Sequence, residues 1–171
     1  MNVRNVHSRT LPTSLDAAGT LIDGLASDGD RLWPWERWPA MRFDGPLAVG
    51  AKGGHGPVRY TIQEYEPGRS ILFRFSAPKG FLGTHRLSVE STDSGGVRLV
   101  HTLDMVAAGP ARFSWPLVFR PLHDALLEDA LDKAERAFGG RPTAARWSLY
   151  VRALRRLLRR RRVAVGSLGI S

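Results

Sequence analysis

The stretch from Trp115 to Phe138 constrains the fold of this chain more than any other part of the sequence. Its apolar residues recur at the three- and four-residue spacing that places side chains on one face of a helix. These residues are Trp115, Val118, Phe119, Leu122, Leu126, Ala130, Ala134 and Phe138. The opposite face is charged, and its Asp129 and Lys133 are spaced as an exposed helical ion pair. We therefore predict a long amphipathic helix with one buried face, and a kink or a start near Pro121, since proline lacks the N–H that a helix interior needs.

The residues before this helix begin with a strand and a shorter helix. A first strand is predicted over residues 2–11, and a helix is predicted from Ser14, as the N-cap, to about Ser27. The next segment, from Asp28 to Pro39, holds three tryptophans and two prolines. Such a segment is predicted to form a short helix or an ordered loop rather than a strand.

A series of β-strands separated by turn residues is predicted from Met41 onward. The predicted strands cover residues 47–51, 58–66, 71–75, 85–89 and 97–105. The glycine-rich segment GAKGGHG (50–56) lacks the spacing of a phosphate-binding loop, and we predict a hairpin turn or a bulge there. Turns at regular intervals indicate an antiparallel meander with one apolar face, which the long helix would cover.

Charge divides the chain into two parts at about residue 140. The net charge of +9 belongs entirely to residues 141–171, which contain nine arginines and no acidic residue. We predict a globular domain over residues 1–140 and a basic amphipathic tail over residues 141–171. Because the globular part has no net charge, the basic total does not indicate that this part binds nucleic acid.

The composition also excludes some chemistry. The chain has no cysteine, which excludes thiolate metal sites and thiol catalysis. No apolar run reaches the length of a membrane span. The protein is predicted to be cytoplasmic, or peripheral to a membrane through its tail.

Residues 143–162 have the pattern of a basic amphipathic helix. Three uses of such a helix remain open: packing on the body or on a second subunit, lying on an anionic membrane surface, and binding the phosphates of nucleic acid. The arginines predicted to contact a membrane or another polyanion are Arg152, Arg155, Arg156, Arg159 and Arg160.

Several segments together resemble the START/Bet v 1-like (SRPBCC) superfamily, and within it the polyketide cyclase/dehydrase and lipid-transport-like proteins. These segments are the turn sequence EYEPGRSILFRF, the preceding GGHGPVRY and the helical ALLEDALDKAERAF. The resemblance implies an α+β helix-grip fold over about residues 1–139. In this fold, a curved antiparallel sheet of about seven strands wraps around a long C-terminal helix, with two short helices after the first strand and a deep cavity between sheet and helix. No residues match the active-site pattern of an established aromatase/cyclase, so no catalytic residue is carried over.

The strand alternation predicts which side chains face that cavity. The residues predicted to bind a ligand are Tyr60, Ile62, Phe73, Phe75, His85, Leu87, Leu99, His101, Leu103, Leu122 and Leu126. Of these, His85 and His101 are also the candidates for a catalytic acid or base, because imidazole titrates near neutral pH. The five histidines show no HxxxH or HExxH spacing, so no metal site is predicted. No cofactor is predicted either.

The sequence therefore predicts a carrier or sensor that binds a hydrophobic small molecule, lipid-like or polyketide-like, between the sheet and the C-terminal helix. Two alternatives remain open. One is an enzyme of the cyclase/dehydrase type with a cavity histidine as acid or base. The other is a protein that acts through its arginine-rich tail on a membrane surface or a polyanion such as nucleic acid. A homodimer is also open.

Overall fold

The chain folds as a curved, seven-stranded antiparallel sheet around one long helix. The computed structural model describes the backbone of residues 1–143 and 146–166, with side chains up to residue 158. The strands are β1 (Asn2–Leu11), β2 (Arg42–Phe43), β3 (Lys52–His55), β4 (Val58–Glu66), β5 (Ser70–Ala77), β6 (Phe81–Ser91) and β7 (Val97–Ala107), in the sheet order β1-β7-β6-β5-β4-β3-β2. The helices are α1 (Leu15–Asp23), α2 (Ala111–Ser114), α3 (Arg120–Ala137) and α4 (Leu149–Gly166).

The long helix begins earlier than predicted and contains an irregular turn. Helix α2 starts at Ala111, a π-helical turn occupies Trp115–Phe119, and α3 follows directly. Pro121 lacks the N–H that would bond to the carbonyl of Leu117 in a regular α-helix. That carbonyl instead accepts a 2.5 Å hydrogen bond from the hydroxyl of Tyr150 in α4. The irregularity predicted near Pro121 is confirmed, and it takes the form of a π turn.

Helix α1 begins where its cap was predicted and ends before Ser27. The hydroxyl of Ser14 accepts a 3.3 Å hydrogen bond from the N–H of Ala17, and α1 ends at Asp23. The chain then makes a series of turns up to residue 41. One of them, Pro34–Trp38, is a single helical turn closed by a 3.0 Å backbone hydrogen bond.

Two glycines are explained by close packing rather than by flexibility. Gly19 lies inside α1, where glycine weakens an isolated helix, but a Cβ at this position would overlap the backbone of Gly68 in the β4–β5 turn. Gly53 lies in β3 beneath the ring of Phe43, and a Cβ there would overlap that ring. Both positions therefore favour glycine because a neighbouring group occupies the space of a side chain.

The strands match the prediction from β4 onward but not before it. The strand predicted over residues 47–51 is absent from the described sheet, and pairing occurs instead between Arg42–Phe43 and Gly53–Gly54. The glycine-rich segment, predicted as a turn or bulge, supplies strand β3. The extended backbone there is possible because the segment lies near the sheet edge and pairs with β4.

Part of the charged face of α3 is buried and not exposed as predicted. Asp129 and Asp132 are only 4% and 2% exposed. The three central inward residues of β1 are polar, and Arg9 bonds to Asp132 at 2.9 Å and to Glu135 at 2.7 Å. We call this contact the β1–α3 seam; it consists of Asn5, His7 and Arg9 from β1 with Asp124, Glu128, Asp132 and Glu135 from α3.

Helix α4 and Trp147, two residues before it, contact the body. The indole N–H of Trp147 donates to Asp129 at 3.1 Å, and Val151 is buried. Within the described ranges, no helix is both long enough and apolar enough to cross a bilayer. The division into a domain of residues 1–140 and a tail of residues 141–171 remains a prediction.

Candidate ligand-binding site

A cavity of about 810 Å³ lies between the sheet and the long helix. Its wall is formed by the inner face of the sheet, the turn-rich segment after α1, the helical stretch from Trp115 through α3, and one side of α4. The apolar lining residues are Leu32, Trp33, Trp35, Trp38, Pro39, Met41, Pro57, Val58, Phe75, Phe81, Leu87, Trp115, Val118, Phe119, Leu122, Leu126, Leu127, Ala130 and Leu158. This volume lies in the range of pockets that hold a small organic molecule.

The structure brings together only part of the predicted binding residues. The predicted residues that line the cavity are Phe75, His85, Leu87, His101, Leu122 and Leu126. The others, Tyr60, Ile62, Phe73, Leu99 and Leu103, are at most 1% exposed and belong to the packed core. Alternation predicts on which face of the sheet a side chain lies, but not which other side chains pack on top of it. For example, the ring of Phe43 lies 6.0 Å from the rings of both Tyr60 and Phe73.

Several lining residues are not among the eleven that the sequence predicts to bind a ligand. The residues after α1 had no periodic signal, so the contribution of Trp33, Trp38 and Met41 to the wall could not be predicted from alternation. His123 could have been found, because positions 119, 122, 123 and 126 follow the three- and four-residue spacing of one helix face. His55 follows the glycines of β3, where the strand itself was not predicted.

His85 and His101 lie side by side on adjacent strands and both line the cavity. Nε2 of His101 lies 3.4 Å from Nδ1 of His85, within hydrogen-bond distance. The imidazole of His85 stacks on Phe73 and Phe75, with ring centroids 4.7 and 4.8 Å away. These two contacts restrict the orientation of the imidazole.

Both imidazoles of this pair are neutral at pH 7. Burial in apolar surroundings lowers the pKa of His85 well below its ordinary value of 6.5, and the neighbouring histidines lower it further. The same cause, burial first and then the nearby imidazoles, lowers the pKa of His101. A buried imidazole without a carboxylate partner favours its uncharged form because the cation would lose its hydration.

The pair has two polar atoms available to a ligand. Within the described part of the chain, Nε2 of His85 and Nδ1 of His101 are buried and have no hydrogen-bond partner. Whichever ring donates in the bond between them, one of these two atoms carries a proton and the other carries a lone pair. The pair therefore offers one donor and one acceptor, whatever its tautomer.

The arginines of the tail differ in whether they pack on the body or face solvent. The guanidinium of Arg155 stacks on Trp38 and Trp147, 4.1 and 4.0 Å from their rings, and it bonds to the carbonyl of Arg37. Arg155 therefore packs on the body beside the cavity, whereas Arg152 and Arg156 are exposed. The predicted contact residues Arg159 and Arg160 lie in α4, but their side chains are outside the described residues.

A second polar cluster lies at one end of the β1–α3 seam. Nε2 of His7 is 3.2 Å from Oδ1 of Asp124, and Nδ1 of His123 is 3.5 Å from the same oxygen. The hydrogen bond that His7 donates to Asp124 raises the pKa of His7, against the effect of partial burial, and Glu128 raises it further. Sequence spacing could not reveal this cluster, because His7 is 116 positions away from His123 and lies on a different element.

Comparison with known proteins gives likeness in structure rather than in sequence. No family model matches this chain, and no curated protein matches it. A norcoclaurine synthase variant from Thalictrum flavum, solved with a transition-state analogue, has a TM-score of 0.58 at 15% identity, covering 82% of this chain and 98% of its own.

Other solved structures give the same result. The protein Ara h 8.0201 has a TM-score of 0.53 at 14% identity, over 78% of this chain and 98% of its own. An uncharacterised protein from Rhizobium leguminosarum has a TM-score of 0.56 at 11% identity, over 80% of this chain and 96% of its own. The chain therefore has the helix-grip fold of Bet v 1-like proteins, which confirms the fold predicted from the resemblance to the SRPBCC superfamily.

Proposed function

We propose that this protein binds a hydrophobic small molecule in the cavity between the sheet and α3, with a polar group of the ligand held by His85 and His101. The observation that carries the proposal is the cavity itself, about 810 Å³ in volume, with a wall that is mainly aliphatic and aromatic. A wall of this composition gains free energy by excluding water, at about 25 cal/mol for each Å² of apolar surface covered. Solved structures of the same fold include a norcoclaurine synthase variant bound to a transition-state analogue, which agrees with small-molecule binding.

The polar end of the ligand follows from the histidine pair. A buried donor or acceptor without a partner costs about 1–3 kcal/mol, and His85 and His101 each have one such atom among the described residues. A hydroxyl or carboxylic acid group can donate to one nitrogen and accept from the other. The preferred ligand is therefore an apolar molecule with a single hydroxyl or protonated acid group.

The same pair favours binding over acid–base catalysis. An efficient general acid has a pKa near the working pH, whereas burial lowers the pKa of both His85 and His101 well below 6.5. The protonated form that a cyclase or dehydrase would use as an acid is therefore scarce at pH 7. Neutral imidazoles whose orientation is restricted by ring contacts suit hydrogen bonding to a ligand.

Displacement of an apolar dye tests the proposal. N-phenyl-1-naphthylamine is uncharged, so the arginine-rich tail does not attract it, and its fluorescence increases in apolar surroundings. We expect saturable binding at one site, weakened at least tenfold by Leu122→Trp, which places a larger side chain in the cavity wall. Leu82→Trp is the matched control, because Leu82 is 60% exposed on the outer face of β6. Equal binding by wild type and Leu122→Trp would contradict the cavity as the site.

The polar contact is tested with a pair of ligands that differ in one group. 2-Naphthol should displace the dye about tenfold more effectively than naphthalene, which corresponds to one net hydrogen bond of about 1.4 kcal/mol. His101→Leu should remove this preference and leave naphthalene binding unchanged. If the preference for 2-naphthol persists in His101→Leu, the hydroxyl is bound elsewhere in the cavity.

A second candidate function is attachment of the tail to an anionic membrane surface. On α4, the charged side chains of Arg152 and Arg156 are exposed beside apolar side chains that also face solvent, Leu149 at 78% and Leu157 at 53% exposed. Exposed apolar residues next to arginines suit the lipid headgroup region. The arrangement does not depend on the cavity, so both functions can belong to one chain.

Vesicle sedimentation separates this candidate from binding to nucleic acid. The full chain should sediment with vesicles containing phosphatidylglycerol and not with pure phosphatidylcholine vesicles. Leu149→Ser combined with Leu157→Ser should weaken lipid binding but leave binding to duplex DNA unchanged, because DNA is bound through phosphate contacts. Equal sedimentation of this double variant and the wild type would exclude insertion of the apolar face.

A further inference from the structure

We propose that His7, His123 and Asp124 form a binding site for a divalent transition-metal ion of the Zn²⁺ type. One nitrogen from each imidazole and one carboxylate oxygen lie within 4.8 Å of one another. Two imidazoles and one carboxylate are a ligand set found in zinc sites that keep one coordination position open. The residues come from β1 and α3, which the fold holds together along the β1–α3 seam.

The separations between the ligand atoms agree with tetrahedral coordination. Bonds of about 2.0–2.1 Å to a tetrahedral zinc ion place neighbouring ligand atoms about 3.3 Å apart. Oδ1 of Asp124 lies 3.2 Å from Nε2 of His7 and 3.5 Å from Nδ1 of His123. The nitrogens of His7 and His123 lie within 4.8 Å of each other, so an ion that bridges all three atoms requires the side chains to turn towards one another.

The groups around the three ligands are arranged as a supporting shell. Nδ1 of His7 is 3.0 Å from Oε1 of Glu128, and the other oxygen of Glu128 accepts a 3.1 Å hydrogen bond from Arg9. A histidine that binds a metal through one nitrogen commonly donates its other N–H to a carboxylate, which fixes the tautomer and the ring orientation. Glu128 can fill this role while Nε2 of His7 faces the metal position.

Two buried atoms at the site have no hydrogen-bond partner among the described residues. They are Nδ1 of His123 and Oδ1 of Asn5, and the amide nitrogen of Asn5 lies 3.0 Å from Oδ1 of Asp124. Unpaired buried polar atoms are uncommon in native proteins. A cation beside Asp124 would satisfy the lone pair of His123 directly, and a rotated Asn5 amide would offer its oxygen to the same ion.

The site is accessible to an ion without opening the cavity. The side chains of His7 and Asp124 are 15% and 35% exposed, so the seam is reached from solvent. His123 also lines the cavity, and it is the one proposed ligand shared between the two sites. The metal site does not depend on the proposed function, because dye binding and metal binding are measured separately.

Cobalt substitution tests the proposal. The full chain, without a histidine tag and freed of metal with a chelator, is titrated with Co²⁺, whose visible absorption reports coordination. We expect one Co²⁺ per chain, an intense visible band typical of four- or five-coordinate cobalt, and displacement by Zn²⁺. Zn²⁺ should also raise the melting temperature, because it binds only the folded arrangement.

Matched variants locate the site. His7→Gln and Asp124→Asn should each weaken Zn²⁺ binding at least tenfold, and Glu128→Gln should weaken it between tenfold and a hundredfold through the orientation of His7. His55→Gln is the control, since it removes a histidine that lies outside the cluster. Melting of each variant in excess chelator separates loss of metal from loss of folding.

Three results would overturn the proposal. The first is the absence of saturable binding of either ion by the folded wild type. The second is unchanged Zn²⁺ affinity in a folded His7→Gln or Asp124→Asn variant. The third is an equal loss of affinity in His55→Gln, which would place the ion elsewhere.

Discussion

His7 and His101 are direct neighbours across the β1–β7 pair, yet their surroundings are opposite. Both side chains point to the inner side of the sheet, towards α3. His101 lies in the cavity wall beside the rings of His85 and His123, and burial lowers its pKa. His7 lies in the β1–α3 seam, where its hydrogen bond to the carboxylate of Asp124 raises its pKa.

The difference shows how one helix serves two kinds of interface. The apolar face of α3 meets the cavity, where Leu122 and Leu126 are part of the wall. Its acidic face meets the middle of β1, where the inward positions are asparagine, histidine and arginine, between the aliphatic Val3 and Leu11 at the two ends of the strand. The apolar wall favours neutral groups because it offers no counter-charge, whereas the seam holds charged groups because each cation has carboxylates within hydrogen-bond distance.

The largest expected effect comes from removing the central cation of the seam. Arg9 is bonded to Glu128, Asp132 and Glu135, and Asp132 is almost fully buried. Arg9→Met leaves a buried carboxylate without its main partner, so the free energy of unfolding should fall by about 3–5 kcal/mol. Urea denaturation at pH 7 measures this change.

Arg4→Met is the control for that experiment. Arg4 lies on the same strand and pairs with Asp104 on the outer face, where the two side chains are 69% and 55% exposed. Exposed pairs contribute at most about 1 kcal/mol. Similar losses for the two variants would contradict the assignment of the seam as a buried charge network.

The sequence predicts the apolar part of this architecture well and the polar part poorly. Helix α3 and strands β4 to β7 are predicted from the regular spacing of their apolar residues, which is a property of the local sequence. The seam depends on the pairing of Arg9 with acids more than 100 positions away, and polar residues on a helix face are usually solvated. The burial of Asp129 and Asp132 therefore could not be predicted from spacing alone.

The candidate site shows the same limit. The alternation of apolar and polar residues predicts that His85 and His101 lie on the inner face of the sheet, and the structure places both in the cavity wall. The burial of Tyr60 and Phe73 in the packed core could not be predicted. Their rings pack against Phe43, which lies in a two-residue strand with almost no sequence signal. Local patterns give the direction of a side chain, whereas its distance from the cavity depends on tertiary packing.

A second prediction concerns acid stability and the cavity histidines. In the unfolded chain, His85 and His101 bind protons below about pH 6.5, whereas in the folded protein burial keeps them neutral. The unfolded state then binds more protons, so stability falls as the pH drops below 6.5, by up to about 1.4 kcal/mol per pH unit for each histidine. His101→Leu should lose stability less steeply than wild type between pH 6.5 and 5. Parallel curves for the two proteins would show that His101 is protonated in the folded state.

A third prediction has the opposite sign and a smaller size, because His7 and its carboxylate partners are partly exposed to solvent. The pKa of His7 is raised by Asp124 and Glu128, although partial burial and the nearby Arg9 and His123 oppose the charge. Its stabilising contribution is fully present below pH 6.5 and is lost as the pH rises through the folded pKa. His7→Gln should therefore destabilise the protein more at pH 6 than at pH 9, with chelator present in both buffers. A larger loss at pH 9 would contradict a charged His7.

The smallest expected effect tests whether several partners protect a buried carboxylate. Asp129 accepts hydrogen bonds from Arg37 at 2.7 Å, from the indole of Trp38 at 2.7 Å and from the indole of Trp147 at 3.1 Å. Trp147→Phe removes one donor and keeps an aromatic face for the two arginines stacked on it, Arg37 and Arg155, so we expect a loss of only about 1 kcal/mol in urea denaturation. Leu149→Ala, at a position 78% exposed, should change stability by less than about 0.5 kcal/mol. In Trp147→Phe, Asp129 keeps two other donors, whereas in Arg9→Met three carboxylates lose the partner that they share. We therefore expect the loss of stability in Trp147→Phe to be the smaller of the two. An equally large loss would mean that the contact of the tail with the body, and not the number of hydrogen-bond partners of the carboxylate, sets the stability of this region.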